Sequence, residues 1–400
     1  MSKSGTGGGK NPRDFVSQKA DSLSPSGIRK FFDLISTTEG VISLGVGEPD
    51  FSTPWRIREA AIHSIEKGYT MYTSNYGLPE LRQLLAQSLE RQYGVSYHPG
   101  QELLITCGVS EALDLALRAV VNPGEEVIIP DPCYVAYSPC ISLAGGIPVP
   151  VPTCVETGFT IMASEIEPKI TAKTKAILIG YPANPTGAVM TKEELSQIAS
   201  LAEKHDLLVI SDEIYAGLVY EREHICFSSL PGARERTILL GGFSKTYAMT
   251  GWRVGYAAAN GDIIEAMLKI HQYTALCAPI TAQMAAVEAL KSGEAEAQKM
   301  LHEYDRRRRI MVKRLNDCGL ACLEPGGAFY AFPSIKITGM RSEEFARRLL
   351  KEEKVVVVPG SSFGQHGEGF CRCCYAAPLK EIEEALKRIG NFVRRHNATT

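Results

Sequence analysis

Residues 239–255 read LLGGFSKTYAMTGWRVG, and in this stretch a single lysine, Lys245, stands among small and uncharged residues just after an apolar strand candidate. The next cation, Arg253, follows eight residues later. Burial lowers the pKa of a lysine amine, and the neutral amine is a nucleophile that forms Schiff bases. Because a nearby cation could receive a phosphate group, the pair points to pyridoxal phosphate, a carbonyl cofactor that lysine binds as an imine.

Two other interpretations of this lysine exist. Ser244-Lys245-Thr246 resembles the end of a nucleotide-binding P-loop, but that motif requires glycine where this chain has Ser244 and Leu239. We therefore reject a nucleotide site here. An isolated lysine is also commonly a surface charge, so the interpretation depends on the rest of the chain.

The composition is that of an ordinary globular protein. Of the 400 residues, 44% are hydrophobic and 22% are charged, and the net charge is −2. A chain of this length predicts a large core and two domains. The charge balance favours neither nucleic acid nor a membrane as a partner, and no apolar run approaches the roughly 18 residues of a membrane span. The Gly/Ser-rich residues 1–10 contain no signal core. We therefore expect a cytoplasmic protein.

The cysteines indicate reduced thiols. There are eleven, an odd number, scattered through apolar stretches of a chain much larger than a disulfide scaffold. The run Cys371-Arg372-Cys373-Cys374, close to His366, raises the question of a metal site. Because the chain has no second cluster of paired ligands, we predict no metal.

Strands and helices alternate through the first part of the chain, which predicts an α/β fold with a mainly parallel sheet. Strand patterns lie at residues 103–106, 127–129, 147–151, 176–179, 207–210 and 237–240. Ligands of such sheets bind beyond the carboxyl ends of the strands. Tyr134, Asn184, Asp212, Tyr215 and Lys245 all follow such ends, so we expect them to meet at one edge of the sheet.

The turn after the first of these strands, Cys107-Gly108-Val109-Ser110, opens a helical pattern. A helix start of this kind presents free N–H groups and the positive end of a dipole, which suits a phosphate. Taken alone, the pattern favours a helix start that is simply capped by a serine over a phosphate site.

The last third of the chain has a different order of helix and strand patterns. Helical patterns at residues 282–290 and 294–315 precede short strand patterns at 329–333, 355–358 and 370–375, which predicts a smaller α+β domain. The four arginines at residues 306–309 are interpreted as a solvated helix face. We divide the chain into a disordered lead (1–12), an N-terminal arm that joins the small domain (13–46), a large domain (47–290) and the small C-terminal domain (291–400).

Several motifs occur together and in a fixed order: SLGVGEPDF at 43–51, NPTG at 184–187, SDEIY at 211–215, FSKT at 243–246 with GWR at 251–253, and PGSSF at 359–363. From about Asp21 to Arg395 the chain resembles a class I aminotransferase of the fold type I pyridoxal-phosphate enzymes. This resemblance implies a sheet of seven-stranded type flanked by helices. It also implies a homodimer with shared active sites at the subunit interface.

The resemblance assigns roles to the residues that would hold the cofactor ring. Lys245 matches the Schiff-base lysine, and Asp212 matches the partner of the pyridine N–H. Asn184 and Tyr215 match the residues that bind the ring phenolate oxygen, while Tyr134 matches the ring that stacks on the cofactor. The chemistry agrees, because a carboxylate keeps the ring nitrogen protonated and the freed lysine amine can act as general base and acid.

For the phosphate, the resemblance implies Val109, Ser110 and Arg253, with Tyr72 reaching across from the other subunit. Many relatives have serine three residues before the lysine, where this chain has Gly242. One phosphate contact is therefore missing, and Ser244 or Ser110 could replace it.

For the substrate, the resemblance implies that Arg372 grips the α-carboxylate, beside Asn184 and the backbone of Gly47. A planar guanidinium fork binds carboxylate bidentately, which lysine cannot do. The segment 26–32 and the general pattern resemble aromatic or broad-specificity aminotransferases, with aspartate aminotransferases next. We therefore expect an amino group to move between an L-amino acid and a 2-oxo acid such as 2-oxoglutarate. A carbon–sulfur β-lyase with the same cofactor is the alternative.

Overall fold

The computed structural model describes residues 12–23 and 40–397. Most of the predicted lead lies outside these residues, as do residues 24–39 of the predicted N-terminal arm, which include the segment 26–32. In chain order the strands are β1 Ile42–Ser43, β2 Leu103–Thr106, β3 Glu126–Asp131, β4 Ile147–Pro152, β5 Thr174–Ile179, β6 Leu208–Asp212, β7 Thr237–Gly242, β8 Gly255–Ala258, β9 Tyr330–Ala331, β10 Val355–Val356, β11 Val358–Pro359 and β12 Cys371–Cys374.

The α-helices in the same part of the chain are α1 Gln18–Asp21, α2 Trp55–Glu66, α3 Pro79–Tyr93, α4 Val109–Val120, α5 Tyr137–Ala144, α6 Ala163–Ile166, α7 Lys192–Lys204, α8 Gly261–Thr274, α9 Ile280–Ser292, α10 Glu294–Asp317, α11 Ser342–Glu353 and α12 Leu379–Arg395. Short 3-10 helices lie at Pro12–Phe15, Glu167–Lys169, Phe227–Ser229, Arg234–Arg236, Lys336–Thr338, Gly360–Phe363 and Gln365–Gly367.

A seven-stranded sheet with the order β2-β8-β7-β6-β5-β3-β4 organises the molecule. Strands β7, β6, β5, β3 and β4 run parallel, whereas β8 is antiparallel to both β2 and β7. The predicted α/β fold with a mainly parallel sheet is therefore confirmed. The carboxyl ends of β3, β5, β6 and β7 lie side by side at one edge.

Helices cover both faces of this sheet. In β5, Ile177 packs on one face and its neighbour Leu178 on the other, because successive side chains of a strand point in opposite directions. Helix α7 covers the first face with Ile198, and α4 covers the second with Leu113. Because both faces of the sheet are buried, the parallel strands are continuous apolar runs in which apolar and polar residues do not alternate.

Strand β8 is the member of this sheet that the sequence pattern does not predict. Its residues, Gly255–Ala258, are mostly small and too few to show a period of two. The paired strand β7 contains Gly241, where a Cβ atom would lie 2.3 Å from the ring of Tyr256. Glycine there leaves room for the ring of Tyr256 beside β7.

Two small sheets lie in the C-terminal part. Strands β11, β12 and β9 form an antiparallel sheet in that order, and β1 pairs with β10 in parallel. This pairing attaches the segment before residue 47 to the C-terminal part, where α10, α11 and α12 share one hydrophobic core. A smaller α+β unit is present as expected, and the domain boundaries stay a prediction.

The interpretation of residues 306–309 as a solvated face is wrong for its two central arginines. Arg308 is 2% exposed, forms an ion pair with Asp305 at 2.6 Å and donates to the carbonyl oxygen of Pro325. Arg307 is also buried, and its Nη1 lies 2.8 Å from the carboxylate of Asp50. This second pair ties α10 to the turn that follows β1.

All eleven cysteines lie in the described ranges and are free. Within residues 12–23 and 40–397, every helix is too short or too polar to span a bilayer.

Candidate active site

A cavity of about 380 Å³ opens at the carboxyl ends of the parallel strands. Its wall contains all but one of the predicted site residues: Gly47, Val109, Ser110, Tyr134, Asn184, Asp212, Tyr215, Ser244, Lys245, Arg253 and Arg372. The exception is Tyr72, which is 82% exposed on the surface of the chain. The sheet therefore brings together side chains that are far apart in sequence.

Lys245 lies in the turn that follows β7. Its Nζ atom donates a hydrogen bond to the carbonyl oxygen of Gly47 at 2.7 Å and lies 5.6 Å from the ring centroid of Phe329. Burial lowers the pKa of the amine to about 8, with help from the nearby Arg372 charge. Near pH 8 about half of the amine is therefore neutral and nucleophilic.

Asp212 is the last residue of β6 and is buried. Its Oδ2 accepts a hydrogen bond from the hydroxyl of Tyr137 at 2.9 Å, and its Oδ1 accepts one from the backbone N–H of Ile214 at 3.2 Å. Burial raises the pKa of the carboxyl to about 6, although these hydrogen bonds oppose the rise. A cationic partner in the cavity would restore the ionised form.

The start of α4 forms an anion cradle. The N–H groups of Val109 and Ser110 belong to the first turn of the helix and have no intrahelical acceptor. Gly108 precedes them with φ at +80°, and a Cβ atom there would lie 2.6 Å from Nη2 of Arg253. The guanidinium is fixed by a hydrogen bond from Nη1 to the carbonyl oxygen of Thr250 at 2.9 Å. Two N–H groups and one cation thus meet at one point.

Arg372, on β12, is held from several sides. Its Nη1 donates to Oδ1 of Asn184 at 2.8 Å, and its Nη2 donates to the carbonyl oxygen of Gly45 at 2.7 Å. Its Nε is buried and has no hydrogen-bond partner among the described residues. A buried donor without an acceptor is costly, so the group is suited to a ligand that brings an acceptor.

Tyrosines close the remaining walls. The hydroxyl of Tyr215 lies 2.7 Å from that of Tyr330, and the ring of Tyr330 lies 4.4 Å from Cζ of Arg372. Tyr134 meets Tyr137 edge to face, with 5.6 Å between ring centroids. The cavity therefore combines three cations with an aromatic lining.

The glycine at position 242 has a steric explanation. A Cβ atom there would lie 2.9 Å from Cγ2 of Val109, so the valine side chain occupies the space that a serine would need. Ser110 and Ser244 both line the cavity, which leaves each of them available as a replacement donor.

Sequence reasoning missed Tyr137 and Tyr330. Tyr137 stands three residues after Tyr134, so a search for a donor to the carboxylate of Asp212 near the same strand end could have found it. For Tyr330 no local signal exists, since its position depends on how β9 packs against the loop that carries Tyr215.

Known proteins are similar to this chain in sequence and in fold. The family model for aminotransferase class I and II matches residues 39–389. The chain belongs to this family. It is 56% identical to the Bacillus subtilis protein YugH over 95% of this chain and 99% of that protein. It is 46% identical to an aspartate aminotransferase of Pyrococcus abyssi, with 96% and 100% coverage. The crystal structure of an aromatic aminotransferase from Pyrococcus horikoshii superposes with a TM-score of 0.88 at 45% identity and covers 92% of this chain and 99% of that one.

The site of this aminotransferase fits pyridoxal phosphate, the cofactor of its class. The cradle at Gly108 offers two N–H groups and Arg253 to a phosphate. The buried Asp212 offers a carboxylate to a ring cation, and Lys245 offers an amine of lowered pKa to an aldehyde. The unpartnered Nε of Arg372 adds a donor for the carboxylate that every amino acid substrate carries.

Proposed function

We propose that this aminotransferase transfers an amino group between an L-amino acid, with aromatic or broad specificity favoured and aspartate next, and a 2-oxo acid such as 2-oxoglutarate. The observation that carries the proposal is the distribution of charge in the cavity. Among the described residues that line it, the cations are Lys245, Arg253 and Arg372. Each is required for the cofactor or the α-carboxylate, so this wall offers no cation for a second carboxylate.

The rest of the wall supports the same proposal. Tyr134, Tyr330, Leu113 and Ile214 present apolar surface to the cavity. Glu48 adds a carboxylate, which accepts a hydrogen bond from the hydroxyl of Thr250 at 3.1 Å. A like charge disfavours the side chain of aspartate, whereas an aromatic side chain gains from burial against rings.

The proposed mechanism assigns the cofactor-binding roles as follows. Lys245 would hold the cofactor covalently, and Asp212 would keep its ring nitrogen protonated, with Tyr137 and Ile214 fixing the carboxylate. Asn184 and Tyr215 would bind the ring oxygen. Tyr134 would stack on the ring, while Val109, Ser110, Ser244 and Arg253 would bind the phosphate. When bound, pyridoxal phosphate supplies an electron sink for the bond that breaks at the substrate Cα.

The substrate is proposed to be oriented by Arg372 together with Asn184 and the backbone of Gly47. The guanidinium fixes the α-carboxylate and hence the direction of the Cα–H bond. Lys245, freed from the cofactor when the substrate amine takes its place, would accept the Cα proton at Nζ and return it to the cofactor carbon that the lysine had held. An amine with a pKa of about 8 is suited to both steps near neutral pH.

The assembly and location are also proposals. We propose a homodimer in the cytoplasm, with Tyr72 of each chain completing the phosphate site of the other. The proposal is supported by the exposure of large apolar side chains, 82% for Met71 and Tyr72 and 87% for Tyr273, which a monomer would leave in water. We keep the division into a lead (1–12), an arm (13–46), a large domain (47–290) and a small domain (291–400) as part of it.

The test is a panel of amino donors measured against 2-oxoglutarate, with the rate of each half-reaction followed in the visible spectrum of the cofactor. We expect kcat/KM for tyrosine or phenylalanine to exceed that for aspartate by roughly tenfold or more, because burial of an aromatic side chain is favourable by 1–3 kcal/mol. A preference for aspartate of similar size would overturn the proposed specificity. Release of pyruvate and ammonia without any 2-oxo acid would instead indicate a β-lyase.

A further inference from the structure

We propose that Tyr330 is a positioning residue in this site. Its hydroxyl donates a hydrogen bond to the hydroxyl of Tyr215 and thereby directs the single proton of Tyr215 towards the cofactor, while its ring supports the guanidinium of Arg372. This inference rests on the proposed function, because it concerns how these side chains act on the bound cofactor and substrate.

The position of Tyr330 joins two parts of the fold. It is the first residue of β9, in the small antiparallel sheet, whereas Tyr215 follows β6 of the large sheet. Both side chains are buried, and their hydroxyl oxygens are 2.7 Å apart. The two sheets are therefore joined by a hydrogen bond on the wall of the cavity.

The direction of this hydrogen bond follows from counting protons. A phenol has one proton to donate. Burial raises the pKa of both hydroxyls, so both keep their protons at any working pH. When the hydroxyl of Tyr215 donates its hydrogen bond to the ring oxygen of the cofactor, it can only accept a hydrogen bond from Tyr330. A hydroxyl that accepts a hydrogen bond is also a stronger donor, so Tyr330 strengthens the bond that Tyr215 makes.

The ring of Tyr330 acts on the substrate side. It lies 4.4 Å from Cζ of Arg372, and Phe363 lies 4.9 Å from the same atom. These aromatic contacts restrict the plane of a guanidinium that Asn184 already fixes at one end. Tyr330 therefore links Arg372, which would bind the α-carboxylate, to Tyr215, which would bind the ring oxygen of the cofactor.

Gly47 lies close to both Tyr330 and Arg372, where there is no room for a side chain. A Cβ atom on Gly47 would lie 2.5 Å from the hydroxyl oxygen of Tyr330 and 3.6 Å from Nη2 of Arg372. The carbonyl oxygen of Gly47 accepts the hydrogen bond from Lys245. Only glycine allows the backbone to approach both the tyrosine hydroxyl and the lysine.

The test compares Tyr330→Phe with the unchanged enzyme, each loaded with pyridoxal phosphate, by following visible absorption against pH. Without the hydroxyl of Tyr330, the hydrogen bond from Tyr215 to the ring oxygen of the cofactor is weaker, so the negative charge on that oxygen is less stabilised. The proton beside that oxygen is then held more tightly, and the apparent pKa of the absorption change should rise by about 0.5 to 1. We expect kcat to fall roughly two- to fivefold and KM for the amino acid to change less than about twofold.

A double-mutant cycle gives the sharper result. Tyr215→Phe should raise the same pKa further than Tyr330→Phe does, and adding Tyr330→Phe to Tyr215→Phe should change nothing more, since the two hydroxyls act in series. Tyr330→Leu should in addition raise KM for the amino acid roughly fivefold or more, because Arg372 loses its aromatic support. Incorporation of 3-fluorotyrosine at position 330, a stronger donor that keeps the ring, should lower the pKa.

Tyr220→Phe is the matched control. It also removes a buried hydroxyl, one that donates to the carbonyl oxygen of Ala328, but Tyr220 does not line the cavity. Its absorption profile should equal that of the unchanged enzyme. An unchanged profile in Tyr330→Phe, or additive effects of Tyr215→Phe and Tyr330→Phe, would overturn the inference. If the unchanged enzyme itself showed no pH-dependent visible absorption, the proposed function would fail instead.

Discussion

At the scale of single residues, the proposed chemistry depends on Lys245 and Asp212, and burial disfavours the charged form of both. Burial lowers the pKa of Lys245 to about 8 and raises that of Asp212 to about 6. In the protein without cofactor, the pKa values of both groups therefore lie about one pH unit from pH 7. A ligand that brings an aldehyde to one and a ring cation to the other relieves both penalties at once.

The raised pKa of Asp212 predicts how the stability of the cofactor-free protein depends on pH. The protonated form is favoured in the folded state, so its contribution is complete below about pH 4 and is lost as the pH rises to about 6. Between these values the free energy of unfolding should fall relative to that of Asp212→Asn by up to about 3 kcal/mol. Urea titrations at several pH values measure this difference. Parallel pH profiles for the two proteins would show that the carboxyl is not buried as described.

At the scale of elements, the start of helix α4 and the glycine turn before it form the proposed phosphate site. The turn works because Gly108 adopts a backbone conformation that other residues avoid, with φ at +80° and ψ at 168°. It also works because the missing side chain leaves room for Arg253. Glycine is thus needed at position 108 both for its backbone conformation and for the space that it leaves to Arg253.

Gly108→Ala should therefore lower the affinity for pyridoxal phosphate roughly 10- to 100-fold, since the guanidinium must move away from the helix start and a charge-assisted contact is lost. Equilibrium titration of the cofactor-free protein gives this affinity. Gly94→Ala is the control, because Gly94 also has a positive φ, at +68°, but faces open space. It should cost about 1 kcal/mol of stability and leave the affinity unchanged. Equal affinities in both variants would argue against the cradle.

The elements also show where sequence reasoning succeeds. Asp212, Asn184 and Tyr134 were predictable because each lies at or just after the end of an apolar strand, and parallel strands end at a common edge. Their convergence in one cavity depends only on the strand pattern, which is strong when both faces are buried. Their chemical roles came from the family resemblance and stay proposals.

Other features depend on contacts that no local pattern encodes. Tyr330 reaches the cavity only through the packing of β9 against the loop after β6. Strand β8 is too short and too rich in small residues to predict. Arg307 and Arg308 look like surface charges in sequence, and their burial depends on partners from other parts of the chain, Asp50 for Arg307 and the carbonyl oxygen of Pro325 for Arg308.

At the scale of the whole molecule, the proposed homodimer explains the one predicted site residue that lies outside the cavity. Tyr72 is 82% exposed in the single chain and does not line the cavity there. If each chain lends this tyrosine to its partner, one complete site requires Lys245 from one chain and Tyr72 from the other. Subunits with different defects should then complement each other.

Mixing of Lys245→Ala and Tyr72→Ala subunits tests this arrangement. After unfolding and refolding together, hybrid dimers should contain one site with both residues intact, so activity should rise well above that of either variant refolded alone. Light scattering should give the mass of two chains for every sample. Activity no greater than the average of the two variants would contradict shared sites, and a mass of one chain would contradict the dimer.

The central claim, that the amine of Lys245 carries the cofactor, has a direct test. The enzyme loaded with pyridoxal phosphate is reduced with borohydride, which converts a lysine-bound imine to a stable amine, and is then digested and analysed by mass spectrometry. The phosphopyridoxyl group should be found on the peptide that contains Lys245, and it should be absent from the Lys245→Ala protein. Attachment to a different lysine, or no attachment in the unchanged enzyme, would contradict the account.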